Sequence, residues 1–353
     1  MVSGIEASGE DVAARRILRL ALGVTLALVF SQTFNWPMAY VTGILTLILL
    51  GMPTPALNLK QGVGFVLVLI VPLCISSLIF MPLFEFARWS GVLLFILALF
   101  YCFYVSARGE SMVLGLFMTM SLALVAAIGS VSIDALLTVI SSMGLSAAAS
   151  MLFVWIAHAF LPELPEESKE RPKAIPPTLS QARHQALRSL VIILPITIFM
   201  LFSGSSATLL PLMLKVVAMG QQANTSMSRQ VGIEQIQSTL WGGFAAIIAW
   251  QIMSIWPSLI MYGLIMAISS LFFASRMFQG YGMHAKTEMW SYAFLTMIII
   301  LTPALADSQS SNGAHAAFYT RLILFAVIGL YGWLSVVIFD EFFPVKEEKH
   351  QLN

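Results

Sequence analysis

Ionisable groups inside apolar stretches are the residues of this chain that could do chemistry, and they are few. Lys215 stands in TLLPLMLKVVAMG with apolar neighbours on both sides. An ammonium at mid-bilayer costs about 2.5–3.5 kcal/mol on insertion scales. Lys215 is therefore either a cationic site for an anion or a coupled proton, or a stem that snorkels to the nearer surface. Gln221 and Gln222 follow in GQQANTSMSRQVG, with Asn224 and Thr225 and no charge before Arg229. They read either as the polar mouth of a pathway, sharing substrate binding with Lys215, or as a polar turn. Asp134 opens one apolar run, Asp307 closes another just after Thr302-Pro303, and Arg321 opens the last run. These three are candidates for an outer gate or proton relay. The plain alternatives are solvated loop carboxylates and an interfacial anchor. The Thr302-Pro303 step frees a backbone carbonyl, which is tolerated where a helix lines a cavity. His158, near the end of its run and taken as the one His within a span, is a proton-coupling candidate, with an interface residue as the alternative.

Motifs for covalent or nucleotide chemistry are absent from the sequence. There is no Gly-x-Ser-x-Gly, no GxxxxGK[ST] and no HExxH. No Cys/His spacing resembles a zinc site, and Cys74 and Cys102 sit in apolar stretches as packing residues. No catalytic residue, metal, cofactor or enzymatic activity is expected. Transport would run on an ion gradient or on a partner rather than on ATP bound by this chain.

The elements that must position these residues follow from composition. The 353 residues include 18 Lys and Arg and 17 Asp and Glu, so 10% are charged and 59% are hydrophobic, against about 25% charged in soluble domains. So few charges cannot cover a globule in water, which makes this an all-α polytopic membrane protein. The net charge of +1 offers no field for nucleic acid. Apolar runs near the length of a span, about 20 residues, fall at 18–34, 38–52, 62–80, 89–107, 111–129, 134–161, 187–203, 207–220, 235–255, 258–275, 288–306 and 318–340. That predicts twelve transmembrane helices, with the second and eighth short. With the N-terminus in the cytoplasm, every Lys and Arg except Arg88, Arg321 and Lys215 lies on the cytoplasmic side. This bias predicts both termini inside. The opening MVSGIEASGEDVAARR lacks the pattern of a signal peptide.

A Pro-rich charged linker at 162–186 divides the chain into a first six-helix repeat, 1–161, and a second, 187–353, with a short cytoplasmic tail. Thr178 or Ser180 is the expected N-cap of the helix that enters span seven. AARRILRLALGV aligns with QARHQALRSLVI, pairing Arg19 with Arg188. HAFLPELPEE aligns with DEFFPVKEE, pairing Pro162 with Pro344. FMTMSLALVAAIGS aligns with FLTMIIILTPALAD, pairing Thr119 with Thr296 and Ser130 with Asp307. Lys215 then meets an apolar counterpart near Leu47. Two halves of even span count run parallel, with a pseudo-two-fold axis along the membrane normal, and a pathway between such halves is the usual consequence. Small residues on span six (Ser142, Gly144, Ser146, Ala148, Ser150) and Gly242-Gly243 on span nine would let helices approach closely, within the chain or in a homo-oligomer.

These stretches carry a resemblance. ARRILRLALG, NWPMAYVTGILTLILLGMPTP, IEQIQSTLWGGFAA and RLILFAVIGLYGWL, with Arg321 and Gly329, are similar to the membrane unit of the fusaric acid resistance and aromatic acid exporter superfamily. Each half resembles one such unit. The sizeable cytoplasmic domain that follows each membrane half in long members is reduced here to the linker and tail, as in a short version of the family. The resemblance implies a bacterial inner-membrane secondary transporter that exports small aromatic or other weak organic acids. It also implies proton coupling and a periplasmic membrane-fusion adaptor protein as partner. Two other classes stay open from the residues alone: a facilitator-type 6+6 carrier for another small solute, and a non-transporting membrane scaffold or assembly factor.

Overall fold

The computed structural model describes residues 9–52, 55–108, 112–128, 133–163, 178–203, 210–225, 230–308 and 314–343. Most of the linker, Ser130 and Pro344 lie outside the described residues, as do the side chains of Gln222, Asn224, Thr225 and Asp307. The chain forms twelve helices: α1 (Gly9–Thr33), α2 (Ala39–Gly51), α3 (Leu59–Phe86), α4 (Arg88–Ala107), α5 (Met112–Ile128), α6 (Ile133–Phe160), α7 (Leu179–Ser203), α8 (Leu210–Thr225), α9 (Gln230–Ile255), α10 (Leu259–Met277), α11 (Thr287–Ser308) and α12 (Ala314–Phe342). Each contains or closely overlaps one expected span. Eight are long and apolar enough to cross a bilayer, and three shorter apolar helices accompany them. The protein is an all-α polytopic membrane protein.

Local sequence explains the ends. At α7 the hydroxyl of Thr178 accepts from the Gln181 amide at 3.4 Å, while Gln181 Oε1 accepts from the Thr178 N–H at 3.1 Å. This is a reciprocal capping box. It starts the helix eight residues before the apolar run. Asn58 N–H donates to Gln61 Oε1 at 2.9 Å in the same way before α3. Between α10 and α11 the structure has a two-stranded hairpin, Phe278–Gln279 against Gly282–Met283, which turns on Gly280 at φ +56°. Arg16 Nη1 donates to Tyr281 O at 2.9 Å and so docks the hairpin on α1.

The contacts between helices repeat when six is added to each helix number. α4 packs on α7 as α10 packs on α1, and α5 packs on α8 as α11 packs on α2. Within the halves, α3 packs on α5 and α6 as α9 packs on α11 and α12. The repeat is not exact: α8 packs on α11 of its own half with a closeness that α2 and α5 do not match, and α5 packs on α7 as α11 does not on α1.

Four helices occupy the centre. Residues 39–47 of α2, 119–128 of α5, 212–221 of α8 and 293–305 of α11 are buried on every side. A helix apolar all round belongs in an interior, and one shielded by others need not match the thickness of lipid. That is why α2 and α8 are short. The other eight helices surround them and expose Leu, Ile, Val and Phe outward, among them Leu67, Leu78, Leu97, Ile260, Ile268 and Ile323.

Candidate functional site

Two faces of the bundle are defined by their charges. On one, Arg15 Nη1 reaches Pro162 O at 3.4 Å and Arg19 Nε donates to Leu161 O at 3.0 Å, so α1 covers the end of α6. On the same face Arg188 of α7 pairs with Asp340 of α12 at 2.7 Å. We call it the basic face. On the opposite face Arg88 lies over the Phe202 ring at 4.8 Å.

His158 sits in the last turn of α6 on the basic face. Its Nδ1 is 2.8 Å from Val154 O and its Nε2 is 3.3 Å from Glu163 Oε1. Carrying the Pro162–Pro344 register back four residues puts Asp340 at the place of His158. Arg188 pairs with the Asp340 carboxylate at this place, while among the described bonds Arg19 donates to the Leu161 carbonyl near His158. His158 is not the one His within a span helix, because His184 lies in α7 and His315 in α12. His315 falls in the first turn of α12 and His184 in the second turn of α7, both outside the apolar stretches.

Lys215 lies within the central helices and is 2% exposed. Its stem does not snorkel. Nζ donates to Thr296 Oγ1 of α11 at 2.8 Å, and among the described residues no carboxylate pairs with it. Thr296 in turn donates to Tyr292 O at 2.7 Å, its own helix four residues back. Gly242 of α9 makes this placement tight. A Cβ there would run into Ala293 O and into Thr296 Cβ at 2.7 Å. The close approach expected of Gly242 is thus directed at the threonine that holds Lys215. On α6, Ser142, Ser146 and Ser150 are buried, and a Cβ on Gly144 would meet Ile70 of α3. The small-residue stretch therefore serves packing within the chain. Carrying the Arg19–Arg188 register into the next helix pairs Gly51 with Gly220 and places Thr46 opposite Lys215, one residue from the expected Leu47. Thr46 is buried and bonds its own helix at Thr42 O, so the ammonium has no twin.

Gln221 is 1% exposed and does not open a mouth. Its Oε1 accepts from Ser106 Oγ of α4 at 2.9 Å, and its Nε2 donates to Thr119 Oγ1 of α5 at 2.9 Å. Beyond this, Gln235 of α9 donates to Met219 O of α8 at 3.0 Å, and Tyr262 of α10 meets Thr302 of α11 at 3.1 Å, just before Pro303. Ser106, Thr296, Gln235 and Tyr262 were not singled out from the sequence. The only signal was that the aligned pair Thr119 and Thr296 recurred as a polar position in otherwise apolar segments.

The expected outer gate is not assembled from the described side chains. Asp134 is exposed at the start of α6, which packs on α1, α2 and α3, whereas Arg321 belongs to α12, which packs on α7, α8, α9 and α11. Arg321 is no interfacial anchor at the helix start: it lies two turns into α12 and is buried. Asp307 lies in the last turn of α11. Among the described residues no cluster of His, Cys, Asp and Glu is arranged to hold a metal ion.

A family described as "Protein of unknown function (DUF2955)" matches residues 16–159. The match begins in α1 and stops one residue before the end of α6, so it runs over the first six helices. No curated protein and no solved structure matches the chain.

Proposed function

We propose that this protein is a bacterial inner-membrane secondary transporter that exports small aromatic or other weak organic acids, with both termini in the cytoplasm. The observation that carries the reading is Lys215: an ammonium within the central helices, held by one hydroxyl, with no carboxylate partner among the described residues. A buried charge kept without a counter-ion weakens the fold, and in a membrane interior such a group is a functional site by default. A small carboxylate is the complement it lacks. The contacts repeated between α1–α6 and α7–α12 support two parallel six-helix repeats with the substrate passing between them. The likeness of each half to the aromatic acid exporter unit supports the substrate class and a periplasmic adaptor as partner.

Proton coupling is the reading for the remaining ionisable residues. His158 with Glu163 supplies a protonatable pair at the basic face, taken as cytoplasmic. Asp134 and Asp307 supply carboxylates at the other helix ends, and Arg321 a buried cation behind them. The test is a deletion strain, with and without the adaptor, screened for sensitivity to weak organic acids and for their efflux. Increased sensitivity restored by the intact gene supports the reading. Unchanged sensitivity to every acid, with envelope defects instead, replaces it with a scaffold role.

A further inference from the structure

We infer that Gln221 closes the route to Lys215 from the basic face. This rests on the reading of Lys215 as the substrate site. Gln221 lies six residues beyond Lys215 on α8, about 9 Å further along the axis at 1.5 Å per residue. The direction is fixed by neighbouring helices. α12 ends on the basic face, at Asp340, and begins where His315 receives the indole N–H of Trp250 from near the end of α9. α9 therefore starts on the basic face, and α8 ends beside that start. Ser106 stands in the last turn of α4, whose first residue, Arg88, is on the opposite face.

The amide of Gln221 ties three helices together across the two halves: α8 of the second with α4 and α5 of the first. Its two ends are both satisfied, with Nε2 also 3.5 Å from Gly115 O. Two glycines bring the backbones to it. A Cβ on Gly115 would lie 2.5 Å from Ser106 Cβ, and one on Gly220 would strike Ile193 of α7 and come within 3.0 Å of Phe103 of α4. The described residues thus enclose Gln221 closely. The tie itself consists of neutral hydrogen bonds, which exchange for water at small net free energy. A seam of this kind opens when α8 parts from α4 and α5. The same register that pairs Thr46 with Lys215 puts Met52 at the place of Gln221, and a thioether offers no such amide. The tie and the cation thus occur once each, on the same helix.

The test reads access to position 215 directly. In a chain with Cys74→Ser and Cys102→Ala, the reporter is Lys215→Cys, labelled with a membrane-impermeant methanethiosulfonate in vesicles of each orientation. Adding Gln221→Ala is expected to raise the labelling rate about tenfold, the scale of losing such bonds, with reagent on the basic face only. Thr119→Val is expected to act in the same direction, and Thr119→Ser, which keeps the hydroxyl, to leave the rate unchanged. Equal labelling with and without the amide overturns the inference, as does a rise from both faces, which reports general loosening. The readout does not depend on transport: if Lys215→Met exports normally while labelling still responds to Gln221, the site reading fails and the closure stands.

Discussion

Thr119 and Thr296, at matching places in the two halves, both accept hydrogen bonds from one helix, α8. Thr119 takes the amide of Gln221 at 2.9 Å and Thr296 the ammonium of Lys215 at 2.8 Å. The scaffold repeats, but the polar equipment of its centre does not. α2, the counterpart of α8, has Thr46 at the first position and ends before the second, where Met52 follows it. Among the described residues of the four central helices, Lys215 is the one cation.

Replacing Thr296 with Val removes the only hydrogen bond acceptor of Lys215 among the described residues, while Ser keeps it. Removing one partner of a buried charged group costs more than a neutral bond, about 1.5–3 kcal/mol. On the proposed function, Thr296→Val is therefore expected to raise the KM for the exported acid at least tenfold, with Thr296→Ser near wild type. Initial rates of efflux in proteoliposomes check this.

Gly242→Ala pushes a methyl into Ala293 O and Thr296. Overpacking of this kind costs about 1–3 kcal/mol. Both thermal stability in detergent and transport are expected to fall. Gly243→Ala, whose Cβ would meet only Leu322 Cδ1 at 3.3 Å, is expected to be mild.

Arg188→Ala leaves Asp340 without its 2.7 Å partner at the end of α12. Breaking a buried pair costs about 3–5 kcal/mol, less where one member reaches solvent. Thermal unfolding should drop by several degrees, whereas Arg19→Ala, which loses a bond to the Leu161 carbonyl, should lower it less. Equal losses would show that the two arginines serve alike despite their different partners.

The helices were legible because apolar runs and charge breaks are one-dimensional signals. α1 was legible only from residue 18, since Asp11, Arg15 and Arg16 hid its first nine residues, and of Thr178 and Ser180 it is Thr178 that caps α7. The site was legible only in part. Lys215 stood out because a charge in an apolar run has a cost whatever surrounds it. Thr296 did not, because a threonine can satisfy itself on its own helix, as Thr46 does. Its role comes from α8 leaning on α11, a contact that the repeat does not predict. Gln221 looked like the start of a polar loop because GQQANT follows an apolar run, yet α8 continues through it to Thr225 and buries its amide. Asp134 and Arg321 both lie at outer span ends in sequence, whereas their helices pack mainly on different neighbours, a relation that a linear reading does not carry.

Lys215→Met removes an ammonium whose burial costs about 2.5–3.5 kcal/mol and fills nearly the same volume. The variant is expected to melt at a higher temperature than the parent in detergent. A stability gain paired with lost function is the signature of a residue kept for activity. A lower melting temperature would assign Lys215 to the fold.

The most direct measurement is efflux of a confirmed weak-acid substrate from cells carrying Lys215→Met at wild-type membrane levels. The account predicts that efflux falls to the level of the deletion strain. Efflux at the parental rate would remove Lys215 from the mechanism and with it the anion site between the two halves.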